Sequence, residues 1–169
     1  MSELLKQPAT AANAWTSVGR MRLAAGDRIG ALVAARLAHK FDGDNDALAG
    51  LVLQLLDEKM AEAEPLLHPY LDGEPLPEIS MGYVRYLAES NQTSAALAQM
   101  NTITAEQPDN MQALLLQSTL QLQAHQLDAA EASLNRFAAL HEKQPVSERT
   151  EALTRQMYLL RSEIAQQRG

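Results

Sequence analysis

The stretch NAWTSVGRMRLAAGD, residues 13–27, opens the pattern that runs through the whole chain. It holds the chain's only tryptophan, Trp15, then a Val18-Gly19 pair and, at its end, Gly26-Asp27. Alone, these residues admit two readings: a site built from an aromatic ring and flexible glycines, or a helix that packs closely and then turns. The residues one period downstream separate the two.

The chain is self-similar. Ala31, Ala63, Ala96 and Ala130 follow one another at spacings of 32, 33 and 34 residues, a period that marks stacked helical units. Four residues after each alanine stand Ala35, Leu67, Met100 and Leu134, and seven after stand Ala38, Tyr70, Ile103 and Phe137. Positions i, i+4 and i+7 share one helix face, so each alanine opens an apolar stripe with a small residue where a neighbouring helix comes close. Ten residues before the alanines stand Met21, Leu53, Tyr86 and Leu120, and eight before stand Leu23, Leu55, Ala88 and Leu122, which marks a preceding amphipathic helix. Polar turns, AAGD at 24–27 and ESNQ at 89–92, lie between the helices of a unit. FDGDND, YLDGEPLP, EQPDN and HEKQP, rich in helix stops and starts, lie between units. Two amphipathic helices cannot bury their apolar faces alone, so the units must stack.

This pattern resembles the tetratricopeptide repeat, whose signature runs Trp, two residues, Leu-Gly, two residues, Tyr, later Ala, three residues, Phe and a closing Pro. Trp15, Val18, Gly19, Ala31 and Ala38 match it in the first unit. Tyr83, Leu87, Ala96, Met100 and Pro108 match in the third, and Leu114, Ser118, Ala130 and Leu134 in the fourth, where Gln117 and Gln121 replace apolar residues. The second unit matches least, with Ala47 at the Trp position and with Pro65 and Pro69 placed to shorten or bend its second helix. The resemblance implies an all-α chain: an α-solenoid of antiparallel helix pairs in a right-handed superhelix, about four repeats plus a C-terminal helix. The expected repeats cover 12–43, 44–76, 77–110 and 111–145, followed by a helix at 147–168, as one array over 1–169. The last helix looks like the first half of a further repeat, so the expectation is a fragment of a longer bacterial-type protein.

Composition agrees and narrows the function. Ala and Leu make up roughly a third of the residues and aromatics 4%, which favours helix. The net charge is -7, which opposes binding to a phosphate backbone, and no nucleic-acid partner is expected. The charge is uneven: residues 1–41 carry six Lys/Arg against two Asp/Glu, and residues 42–109 carry two against thirteen. A basic first segment beside an acidic middle could steer a partner or favour head-to-tail contacts. There are 0 cysteines, which removes disulfides and thiolate chemistry. No signal-like stretch opens the chain and no apolar run is long enough to insert in a bilayer, so a soluble segment, cytoplasmic or periplasmic, is expected.

No residue pattern points to catalysis, a metal or another cofactor. DGDND at 42–46 begins like a calcium loop, but Ala47 and Leu53 stand where that loop needs Gly and Glu, leaving a turn with an Asn or Asp helix cap. His39, His68, His125 and His141 are scattered, and Glu62 and Glu64, two apart, point to different sides of a helix. Trp15 is expected in the core beside Gly19, where the absent side chain makes room.

In the family the first helix of each repeat lines a concave surface. The resemblance therefore implies partner contacts from Asn13, Thr16 and Arg20, from Asn45, Leu48 and Val52, from Glu78, Met81 and Arg85, and from Gln112, Leu115 and Thr119. Arg20 and Arg85 would pair with acidic groups of a peptide or helical segment, over an apolar floor of Leu48, Val52, Met81 and Leu115. The implied function is a non-enzymatic protein-interaction scaffold. Two alternatives stand beside it: a type III secretion-like chaperone holding an unfolded client, and a structural segment of a larger envelope or assembly protein. A homodimer through the terminal helices is also expected.

Overall fold

The structure, a computed structural model, describes residues 7–145 and 151–169. Among them every regular element is helical. The α-helices are α1 (Pro8–Ala24), α2 (Arg28–Phe41), α3 (Asp46–Asp57), α4 (His68–Leu71), α5 (Pro77–Glu89), α6 (Thr93–Glu106), α7 (Met111–Gln123), α8 (Leu127–Lys143) and α9 (Glu151–Arg168), with a 3-10 helix at Ala61–Leu66 between α3 and α4. The stretch 147–150, expected to begin the last helix, lies outside the described residues.

Three helix starts, those of α2, α3 and α7, follow from side chains that accept the first free backbone N–H groups. Asp27 accepts from Gly30 N–H at 2.8 Å, Asn45 from Leu48 N–H at 3.0 Å, and Asn110 from Ala113 N–H at 3.1 Å. At α1, Pro8 supplies a pre-set φ and loses no bond by lacking an N–H. The turns inside each repeat share one geometry. Gly26, Lys59, Asn91 and His125 take φ values of 79, 65, 58 and 57°. The N–H of the next residue donates to the carbonyl five back: Asp27 to Arg22, Met60 to Leu55, Gln92 to Leu87 and Gln126 to Gln121. This is the Schellman closure, made four times at the repeat period.

The chain divides into two compact units, with the boundary between Tyr86 and Leu87 inside α5. In the first, α1 and α2 form a tight hairpin and α3 packs on both. A Cβ at Gly19 would come within 2.5 Å of Leu51 Cδ2 and 3.5 Å of the Ala31 carbonyl, so the bare α-carbon lets α2 and α3 close on α1. The second helix of the second repeat is broken, as its prolines require: Pro65 sits inside the 3-10 segment and Pro69 at the start of the one-turn α4. Three tyrosines hold this irregular segment in place. Tyr70 donates to Asp46 at 2.7 Å and accepts from Leu76 N–H at 3.1 Å. Tyr83 and Tyr86 of α5 donate to the two oxygens of Glu64 at 2.8 and 3.2 Å.

In the second unit α7 pairs with α8, α6 packs on α7, and α9 packs on α8 and α7. Leu114, Leu134 and Phe137 fill the centre, joined by Met157, Leu160 and Ile164 from α9. The two glutamines at apolar repeat positions are satisfied rather than exposed. Gln117 donates to Asn101 Oδ1 at 2.9 Å and to Thr104 Oγ1 at 3.1 Å. Ser133 contacts Gln117 Oε1 at 3.1 Å and Gln121 Oε1 at 2.8 Å, its single hydroxyl hydrogen serving one of them at a time. Such a network repays its burial only because its members find partners.

The alanine phase describes the interior well. Ala31, Ala63, Ala96 and Ala130 are all fully buried, and so are or nearly are the residues four and seven further on. The first helices depart from expectation at two places. Met21 is 73% exposed, on a helix packed by α2 and α3. Trp15 is half-buried rather than in the core.

Candidate partner-binding surface

The twelve side chains implied by the resemblance divide by burial. Asn13, Arg20, Glu78, Arg85 and Gln112 are exposed, and Asn45, Met81 and Thr119 are half-buried. Thr16, Leu48, Val52 and Leu115 are interior, from 0 to 2% exposed, and this corrects the expected apolar floor. For Leu48 and Val52 the reason is that α3 is surrounded: α1, α2 and the 3-10 segment all pack on it, so Leu48, Ala49, Leu51, Val52, Leu55 and Leu56 are buried around most of its circumference. Leu115 belongs to the cluster around Phe137. Thr16 is buried on α1 with its Oγ1 lacking a hydrogen-bond partner among the described residues.

Two of the half-buried side chains are occupied locally. Asn45 spends its oxygen on the α3 N-terminus and its amide on Asp42 at 3.4 Å, so its role is the helix cap. The Thr119 hydroxyl donates to the Leu115 carbonyl within its own helix at 2.9 Å.

Arg20 is placed by α3. Its Nη2 donates to the Ala47 carbonyl at 3.1 Å, and a Cβ at Gly50 would lie 3.3 Å from the same nitrogen, so the small residue leaves room for the guanidinium to lie across the helix. Arg20 borders a cleft of about 380 Å³ between α1 and α3, shared with Leu23, Gln54, Asp57 and Glu58. Glu58 is already paired with Arg28. Arg85 projects from α5 without an ion pair or hydrogen bond among the described residues. On the other side of α5, burial first and the hydrogen bond to Glu64 second hold the Tyr83 hydroxyl well above the ordinary tyrosine pKa. Tyr70 is raised in the same direction, chiefly by burial.

Sequence reasoning missed a second feature, the outer face of α9. Tyr158 and Leu159 are 60 and 64% exposed and border a groove of about 490 Å³ with Glu151, Thr154 and Arg155. The signal was present in the alternation of apolar residues around α9, which supplies more than the one buried face of Met157, Leu160 and Ile164. Among the described residues no group of three or more His, Cys, Asp or Glu could hold a metal ion, and no helix is long and apolar enough to cross a membrane.

No protein-family model matches the sequence, and no curated protein matches it. Among solved structures, a tetratricopeptide repeat protein from Parabacteroides merdae ATCC 43184 is similar, with a TM-score of 0.62 at 20% sequence identity over 90% of this chain. The chain spans 60% of the length of that protein. The likeness shows the fold: an all-α solenoid of tetratricopeptide type.

Proposed function

We propose that the protein is a non-enzymatic protein-interaction scaffold, and that the exposed first-helix side chains of its first unit receive an acidic peptide or helical segment. The observation that carries this is the state of two arginines. Arg20 is exposed and set in place by the Ala47 carbonyl, and Arg85 is exposed with no internal partner among the described residues. Long cationic side chains left out of internal pairs on a repeat scaffold are suited to carboxylates of a partner, and Arg offers the forked geometry that matches them. Glu78, two turns before Arg85 on the same face of α5, and the acidic residues around the α1–α3 cleft would set direction by repelling the wrong end of such a segment. With Leu48, Val52 and Leu115 buried, the apolar contribution falls to half-buried Met81.

The reading also includes a single repeat array over 1–169, supported by an alanine phase that runs unbroken through the boundary at Tyr86, and a homodimer through the terminal helices. A second reading, a structural segment of a larger assembly, draws support from Met21, Ile29 and Val33, exposed at 73, 74 and 48% on the first hairpin.

Selection from a random peptide library tests the main reading. The wild type should enrich peptides carrying Asp and Glu, and the Arg20→Glu/Arg85→Glu protein should lose that preference by about tenfold or more. Equal enrichment by both proteins would remove the arginines from the reading. A chaperone for unfolded clients would instead suppress aggregation of unrelated denatured proteins whatever their charge.

A further inference from the structure

One face of α9 is buried and the opposite one is not. Met157, Leu160 and Ile164 pack into the second unit, whereas Tyr158 and Leu159 are 60 and 64% exposed beside an apolar groove of about 490 Å³. Single apolar residues on a surface carry no message, but two large neighbours edging one groove mark an interaction surface.

We propose that this face binds α9 of a second copy of the chain, antiparallel, with Leu159 on the two-fold axis. The inference rests on the homodimer reading above and specifies its contact. What identifies the occupant is the charge pattern. Arg155 stands four residues before Leu159 and Glu163 four after, so the three lie along one side of the helix. All three are exposed, and neither Arg155 nor Glu163 has an ion pair or hydrogen bond among the described residues.

A two-fold axis through Leu159 sets Arg155 opposite Glu163 of the second copy. Symmetry then sets Glu163 opposite Arg155, so one complementary pair is made twice, as an isologous interface requires. One turn further out, Glu151 faces Gln167, which can donate to it. Competing arrangements lose this match. A parallel pair would set Arg155 against Arg155 and Glu163 against Glu163. An axis one residue earlier, through Tyr158, would set Arg155 against Arg161. The charges therefore select both the direction of the helices and their register, with Leu159 and Tyr158 forming the dry centre and the ion pairs its rim.

Sedimentation equilibrium of the full chain from about 1 to about 100 µM tests the contact, in a range where a small interface of this kind is read. The wild type should show a monomer–dimer equilibrium and Leu159→Asp should remain monomeric. Arg155→Glu and Glu163→Arg should each weaken the dimer by about tenfold, and the double exchange should restore it. Far-UV circular dichroism of every variant should match the wild type, since all these residues are exposed. With 0 native cysteines in the chain, Leu159→Cys should cross-link to itself under mild oxidation. A monomeric wild type would overturn both this contact and the homodimer reading. A wild-type dimer indifferent to Leu159→Asp, or a double exchange that fails to restore association, would overturn the contact and leave the homodimer reading standing.

Discussion

The Ser118 hydroxyl donates to the carbonyl of Ala130 at 2.8 Å, with both residues fully buried. The same pair of positions in the first repeat holds Gly19 and Ala31, where a Cβ on Gly19 would lie 3.5 Å from the Ala31 carbonyl. In both hairpins a very small residue of the first helix meets the backbone of the second helix at the phase-setting alanine. In the fourth repeat the hydroxyl adds a hydrogen bond to that close approach.

Ser118→Ala should therefore cost about 1 kcal/mol, the net worth of one buried hydrogen bond. Ser118→Leu should cost more, about 1–3 kcal/mol or beyond, because the extra volume has to part α7 from α8. Urea unfolding followed by circular dichroism ranks the two; equal stabilities would mean that the helices do not approach closely at this point.

The four Schellman turns make a prediction of opposite sign. Lys59 and His125 hold φ values of 65 and 57° that a side chain disfavours, so Lys59→Gly and His125→Gly should each stabilise the protein by up to about 1 kcal/mol. Gly26, at φ 79°, is already the favoured residue, and Gly26→Ala should destabilise by about 1 kcal/mol. Melting temperatures moving in the same direction for all three would contradict the turn geometry.

The pH dependence at the alkaline end follows from Tyr83. Its hydroxyl is held above the ordinary value by burial and by the bond to Glu64, so the folded chain keeps this proton more tightly than the unfolded chain. That contribution is fully present below the unfolded tyrosine pKa of about 10 and is lost as pH rises further. Stability measured by thermal melts should fall from about pH 10 upward, and Tyr83→Phe should flatten the fall. Tyr70, raised in the same direction, should leave a smaller residual slope. A Tyr83→Phe protein with the unchanged alkaline slope would sink this assignment.

Gln117 separates satisfied polarity from mere volume. Gln117→Leu leaves Thr104 its bond to the Met100 carbonyl and Ser133 its bond to Gln121, so it should stay within about 1 kcal/mol of the wild type. Gln117→Ala opens a cavity in the same place and should lose about 2–3 kcal/mol. Denaturant titration in which Gln117→Leu loses as much as Gln117→Ala would show that the amide network, rather than packing, holds α6, α7 and α8 together.

Much of the fold was legible because a repeat prints each constraint several times. The alanines and the residues four and seven after them all proved buried, and Pro65 and Pro69 announced the broken second helix. Legibility fell where a position depends on how many neighbours a helix has. Met21 and Leu120 hold the same repeat position, yet Met21 is 73% exposed and Leu120 1%. For the candidate surface, the pattern of first helices located the exposed Asn13, Arg20 and Arg85. It could not reveal that α3 is enclosed, which puts Leu48 and Val52 inside. Lys59 and His125 carry no turn signal in their residue type, so two of the four closures were visible only in the backbone.

The repeat register rests on one fully buried alanine per unit, Ala31, Ala63, Ala96 and Ala130. Thermal unfolding of Ala96→Arg and Ala130→Arg against Ala98→Arg and Ala132→Arg tests it, because the first pair is fully buried and the second pair is exposed on the same two helices. The buried substitutions force an unpaired charge into a helix crossing and should each cost at least about 3 kcal/mol or prevent folding, while the exposed ones should stay within about 0.5 kcal/mol of the wild type. Ala96→Arg and Ala130→Arg proteins that melt with their exposed counterparts would contradict the repeat register.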